Sequence, residues 1–239
     1  MAQTFISIIF VDRNGFLLFS DSINRVLQFN FAPNVIKDLE VINNDELTAQ
    51  IATFFSQAKL QQFQAVMLLS ENLLFEKVFT SPQDEYQKKE MDMFLDNLPF
   101  EHVGSIIFAN AESKFIATNK DLYGSLKSAF EKQKCTVDSI VPAFIVEINL
   151  NQMVSLTKSE AFAIFRKATT LKQYSFLTET PYKDSQTEAK QRESTRDISQ
   201  PPQVATKEKK SFVSPRVILL IGVFVVLLVI LAVVAYTTL

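Results

Sequence analysis

Histidine and cysteine are the side chains most readily turned into a base, a nucleophile or a metal ligand near neutral pH. This chain has one of each, His102 and Cys135. A single imidazole excludes a metal cage built from several histidines. His102 lies in Pro99-Phe100-Glu101-His102 and reads as part of a surface loop rather than as the base of a triad. Cys135 could pair with it as a nucleophile, since distance along the chain forbids nothing. However, Lys132, Lys134 and Cys135 close a helical pattern, and the negative end of a helix dipole raises a thiol pKa. Asp84, Glu85, Glu90, Asp92 and Asp96 share one helical segment, and carboxylates spread along a helix form a solvated face rather than a convergent cage. The four glycines, Gly15, Gly104, Gly124 and Gly222, are far apart, so the chain has no P-loop and no dinucleotide fingerprint. No catalytic residue, metal site or cofactor is expected.

The elements that carry these residues alternate between strand and helix. Phe5 to Val11 and Phe16 to Phe19 are β-branched and aromatic runs around Asp12-Arg13-Asn14-Gly15, which predicts a β-hairpin. Val26 to Phe31 predicts a third strand. Leu47, Ile51, Phe54, Phe55 and Ala58 recur at helical spacing after Asn43 and Asn44, both able to cap. Ala65 to Leu69 and Leu73 to Phe79 read as strands around the polar break Ser70-Glu71-Asn72. Ser81-Pro82-Gln83-Asp84 is a helix start, with Met91, Phe94, Leu95 and Leu98 on the apolar face. A strand pair, Gly104 to Asn110 and Ser113 to Thr118, leads into a helix bearing Leu122, Leu126, Ala129 and Phe130 on one side. Val137 to Val141 and Ala143 to Ile148 are predicted strands. Ser159 to about Thr170 is a predicted helix with Phe162, Phe165 and Ala168 on one side.

The 239 residues have a formal net charge of −2 and a pI near 5.6, and outside one short segment they have no basic stripe. A nucleic-acid partner is therefore not expected. The lone cysteine cannot form an internal disulfide, which agrees with a reducing compartment. Twenty-two Phe and no Trp give the core an aromatic bias whose plain reading is packing.

Lys183 to Ser214 has few apolar residues and carries Pro201-Pro202, the composition of a tether. From Val217 to Tyr236 there is no charged residue, Asn, Gln or Pro. At about 1.5 Å per residue that run is about 30 Å long, one bilayer's hydrocarbon core. Val217, Leu220, Phe224, Leu228, Leu231 and Tyr236 are expected to span the membrane, with Tyr236 at the interface. Lys207, Lys209, Lys210 and Arg216 precede the span and no charge follows it, which keeps the N-terminal bulk cytoplasmic by the positive-inside bias. The start, with no basic region and a break at Asp12, does not read as a secretory signal. The expected organisation is a cytoplasmic domain over residues 1–182, a tether over 183–215 and a transmembrane helix over 216–239.

The stretch AVMLLSENLLFEKVFTSP, then FLDNLPFE, then VGSIIFANAESKFIATNKDLYGSLKSAFEKQKCTVDSIVPAFIVEI, from Ala65 to about Val146, resembles the first half of the actin-like PilM proteins of type IV pilus assembly. It is also similar to the cytoplasmic domain of the GspL proteins of type II secretion. By order of elements the resemblance covers roughly residues 4 to 175. It implies an α/β (α+β) fold: an actin-like, ribonuclease-H-like lobe with an inserted small α+β subdomain, here ahead of one C-terminal transmembrane helix. The family's first phosphate turn has an Asp, a Gly two positions on, then a hydroxyl residue. Here Asp12 is followed by Gly15, so these two are the resemblance's candidates for cofactor contact, and the same four residues read as an ordinary hairpin turn. The tether begins where the family would begin its second lobe, so ATP binding by this chain alone is not expected.

The resemblance implies a non-catalytic scaffold at a bacterial inner (cytoplasmic) membrane, binding a PilN-like membrane protein or an assembly ATPase, with a homo-oligomer left open. One alternative is an actin-like ATP-binding half-site completed by a second chain. The other is a longin-like tail-anchored trafficking protein, which needs a heptad-repeat helix before the membrane that Lys183 to Ser214 lacks.

Overall fold

Two neighbouring aromatic runs start the fold. β1 (Phe5–Asp12) and β2 (Gly15–Ser20) form the predicted hairpin, with Asp12 opposite Gly15. β3 (Arg25–Asn30) pairs antiparallel with β2, as expected. The computed structural model describes residues 5–79, 85–109 and 113–178. The segments expected to form a tether (183–215) and a membrane span (Val217 to Tyr236), with Lys207, Lys209, Lys210 and Arg216, lie outside the described residues. Among the described residues no helix is long and apolar enough to cross a membrane.

After β3 comes a short hairpin that the sequence pattern did not reveal, β4 (Ile36–Lys37) and β5 (Glu40–Val41). Its turn holds Asp38 and Leu39 at positive φ, a place where no glycine marks the turn. α1 (Asn44–Ala58) follows, capped by Asn43, whose side chain accepts from the Glu46 N–H. β6 (Phe63–Leu69) and β10 (Thr136–Pro142) run parallel to β1 and complete a five-stranded mixed sheet in the order β10-β6-β1-β2-β3.

Between β6 and β10 lies a second unit of structure. β7 (Phe75–Phe79), β8 (Val103–Ala109) and β9 (Ser113–Asn119) form a separate antiparallel sheet in the order β7-β9-β8. α2 (Glu85–Asp96) packs on it through Met91, and Phe94 meets Phe115 edge-on at 5.9 Å. The predicted cap and proline of that helix, Ser81 to Asp84, lie outside the described residues. α3 (Lys120–Lys132) returns the chain to the main sheet, capped by Asn119. Asn119 also donates through Nδ2 to the Leu39 carbonyl at 2.9 Å, tying the end of β9 to the β4–β5 turn.

Side chains alternate across the sheet. Ile9, Val11, Phe16, Leu18, Met67 and Ile140 face α1 and α3. Phe10, Phe19, Leu68 and Val141 face the other way, onto α4 (Leu150–Val154) and α5 (Lys158–Thr170). The phenylalanine excess is concentrated on the first face. Phe16 stacks on Phe29 at 4.8 Å and meets Phe54 and Phe130 edge-on at 5.6 and 5.4 Å, and Phe55 stacks on Phe63 at 5.6 Å.

Two expectations need correction. Ala143 to Ile148 is not a strand: Ala143–Val146 is a 3-10 turn closed by Glu147 at φ 61°. An apolar run this short carries no periodicity that separates strand from turn, and Pro142 just before it removes a ladder donor. On α5 the buried residues are Ala161 and Ala168, with Phe165 half-buried, whereas Phe162 is exposed with the Lys158 ammonium 5.8 Å from its ring centre.

Candidate functional site

In an open α/β sheet, ligands bind in the crevice beyond the carboxyl ends of the parallel strands. Here that edge holds Asp12 at the end of β1, Ser70 after β6 and Pro142 at the end of β10. The Ser70 N–H donates to the Val11 carbonyl at 2.9 Å, which continues the β1–β6 ladder by one step and brings the two loops together. The Ser70 hydroxyl donates to Asp12 Oδ1 at 2.5 Å, and Asn72 Nδ2 donates to the same oxygen at 2.9 Å. Partial burial alone would raise the carboxyl pKa, but the two side-chain bonds, aided by Arg13, outweigh it and hold Asp12 below the usual carboxylate range. The stabilisation from these bonds is fully present above the unfolded carboxyl pKa and is lost as pH falls through the lowered folded value.

The first of two shallow grooves flanking Asp12, about 210 Å³, lies against Ser70, Asn72, Phe144 and Asn149. The second, about 180 Å³, lies against Asn14, Leu17, Gln28 and Asn30. Leu150 of α4 stands between them and is 45% exposed. The Asn149 side chain is committed to capping α4, where it accepts from the Gln152 N–H. Chemically this corner is one carboxylate held by its own fold, with an apolar lip.

Gly15 has a role that the turn reading did not foresee. Its φ is not positive, and neither Arg13 nor Asn14 is left-handed, so the turn closes without that freedom. A Cβ at Gly15 would instead lie 2.0 Å from the Phe29 carbonyl oxygen and 2.9 Å from the Asn30 Cα. The position is glycine because β3 passes directly over it.

His102 Nδ1 sits 3.0 Å from Asp121 Oδ2 on the surface at the start of α3. Cys135 is buried beyond the other end of that helix, so the two are roughly 20 Å apart at a helical rise of about 1.5 Å per residue. Burial pushes the Cys135 thiol up to about 11, against a smaller lowering by a backbone hydrogen bond with Phe63. Among the acids of α2, Glu90 pairs with Lys77 at 3.6 Å and Asp96 is exposed. Among the described residues no group of three or more His, Cys, Asp or Glu could hold a metal ion.

The sequence did not single out Ser70 and Asn72 as partners of Asp12, from which they lie 58 and 60 positions away. The polar break that contains them was visible. Placing β6 beside β1 would have delivered it to Asp12.

No family model and no curated protein matches the chain. Among solved structures it is similar to a PilM–PilN type IV pilus biogenesis complex, at 9% identity and TM-score 0.41, over 61% of this chain and 48% of that one. It is similar also to the cytoplasmic domain of EpsL, an inner membrane component of the type II secretion system of Vibrio cholerae. There the identity is 11% and the TM-score 0.35, over 61% of this chain and 60% of that one. A third is a Bacteroides thetaiotaomicron protein with an actin-like ATPase fold, at 11% identity and TM-score 0.31, over 56% of this chain and 51% of that one. The chain thus spans between 48% and 60% of the length of the structures it matches.

Proposed function

We propose that this chain is a membrane-tethered, non-catalytic scaffold whose cytoplasmic lobe binds proteins of a type IV pilus or type II secretion inner-membrane platform. The observation that carries the reading is the order of elements. Three antiparallel strands, a helix, and two further strands parallel to the first, in the sheet order β10-β6-β1-β2-β3, agree with the order that the resemblance implies for a ribonuclease-H-like lobe. The β7-β9-β8 sheet with α2 enters between the fourth and fifth strands of that sheet, where the resemblance puts its inserted subdomain. At the Asp12 corner Ser70 and Asn72 both donate to Oδ1 of the carboxylate, and Gly15 makes room for β3.

In this reading the C-terminal apolar run holds the lobe at the bacterial inner membrane, and the tether raises its effective concentration there, so that modest contacts suffice. A PilN-like membrane protein or an assembly ATPase is the partner the resemblance implies.

The rival reading, a nucleotide half-site completed by a second chain, predicts stabilisation by nucleotide. Titrating Mg-ATP into the detergent-solubilised full chain is expected to leave its melting temperature unchanged, alone and with a platform partner added. A rise of several degrees that saturates with nucleotide would establish the half-site and make Asp12 the residue to mutate.

A further inference from the structure

We propose that the free edge of β3 is a self-pairing edge: two copies of this chain join by antiparallel β3–β3 pairing about a two-fold axis at Gln28, running one five-stranded sheet into the next. Two backbone bonds fix what the edge offers. The Asp21 N–H donates to the Ile6 carbonyl at 3.1 Å, so the odd-numbered residues of β2 bond to β1. The Phe31 N–H donates to the Asn14 carbonyl at 2.8 Å, so even-numbered residues of β2 bond to Arg25, Leu27 and Phe29 of β3. The two assignments agree, because successive residues of a strand point their backbone groups to opposite sides. The N–H and C=O of Val26, Gln28 and Asn30 therefore face away from β2. β3 ends the sheet order, and among the described residues no backbone bond reaches these groups.

Natural edges are blunted by proline, inward charge or a bulge. β3 has no proline and pairs with β2 without a register shift, and its one charge, Arg25, sits at its end.

The edge fits a second copy of itself. With Gln28 opposite Gln28, Val26 faces Asn30 and Leu27 faces Phe29, each twice by symmetry, and Arg25 falls opposite Phe31. Leu27 and Phe29 lie on the sheet face that carries α1, where Phe29 meets Phe54 at 5.4 Å beside a groove of about 310 Å³. Aromatic and aliphatic residues opposite each other are among the favourable cross-strand pairs. By alternation Arg25 points to the same face, is exposed, and has no ion pair among the described residues. Across the two-fold it lies toward the α1 face of the other copy, whose groove beside Phe29 is lined by Glu46, an opposite charge. On the other face the paired Gln28 amides come together, each donating to its own Asn30 at 2.9 Å. This pairing rests on the β3 edge alone and holds whether or not the lobe serves a pilus or secretion platform.

The register gives a sharp test. Residues facing each other in a hydrogen-bonded antiparallel pair have Cα atoms about 5.5 Å apart, within disulfide reach. The full chain in detergent, carrying Gln28→Cys, Val26→Cys or Asn30→Cys, would be mildly oxidised and run on a non-reducing gel against the parent with its buried Cys135. Gln28→Cys is expected to yield at least tenfold more covalent dimer than Val26→Cys or Asn30→Cys alone, and a mixture of those two should cross-link. A monomeric Gln28→Cys, or equal cross-linking at all three positions, would overturn the pairing. Gln28→Pro supplies the second arm, because it removes only an outward N–H. It is expected to keep the parent's circular dichroism and run as a monomer by light scattering; a dimer, or an unfolded chain, would overturn the proposal.

Discussion

Replacing Gly15 with alanine is expected to destabilise the lobe by about 3 kcal/mol, the upper end of the usual cost of overpacking. The added Cβ would fall 2.0 Å from the Phe29 carbonyl oxygen and 2.9 Å from the Asn30 Cα. Both are backbone atoms in the ladder between β2 and β3, so no side-chain rotation relieves the clash, and β3 must move off β2. Gly124→Ala is the matching control. On α3 a Cβ there meets nothing within 4 Å, and exchanging a helical glycine for alanine should gain up to about 1 kcal/mol. Urea denaturation of both variants, followed by circular dichroism, separates the two roles. Equal midpoints would contradict the packing account of Gly15.

Phe130→Ala is the second large loss, about 3–5 kcal/mol by the usual cost of truncating a buried aromatic side chain. Phe130 is fully buried on α3 and its ring lies 5.4 Å from Phe16, 5.9 Å from Phe55 and 6.3 Å from Phe63. One substitution therefore loosens contacts of β2, α1 and β6 with α3 at once. Since domains are stable by only about 5–15 kcal/mol, this variant should unfold at much lower urea, and Phe130→Leu should recover most of the loss. A midpoint shift below about 1 kcal/mol would place the weight of the core elsewhere.

These two residues also show what was legible in the sequence. Phe130 was marked by helical spacing with Leu122, Leu126 and Ala129, and all four are buried, because a helix lying on a sheet repeats its apolar face every three to four residues. The first three strands and the Asn43 cap were readable for similar local reasons. Gly15 was legible as a turn residue only. Its requirement comes from Phe29 and Asn30 of β3, 14 and 15 positions further on, whose approach no local pattern records. The Asp12 corner failed to appear for the same reason: Ser70 and Asn72 join it through the parallel pairing of β1 with β6. The 3-10 turn at Ala143–Val146 and the five-residue α4 were invisible because neither is long enough to show a period. Phe162 was assigned to the wrong side because the small residues Ala161 and Ala168 let α5 sit close to the sheet.

Partner capture tests the proposed membrane-tethered scaffold most directly. The tagged full chain would be isolated from detergent-solubilised membranes of its own cells, with and without Mg-ATP, and its bound proteins identified. The scaffold reading predicts that a pilus or secretion platform protein is recovered in constant ratio to the chain and in equal amount with or without nucleotide. Recovery that depends on Mg-ATP, or purification of the chain from membranes with no platform protein attached, would contradict it.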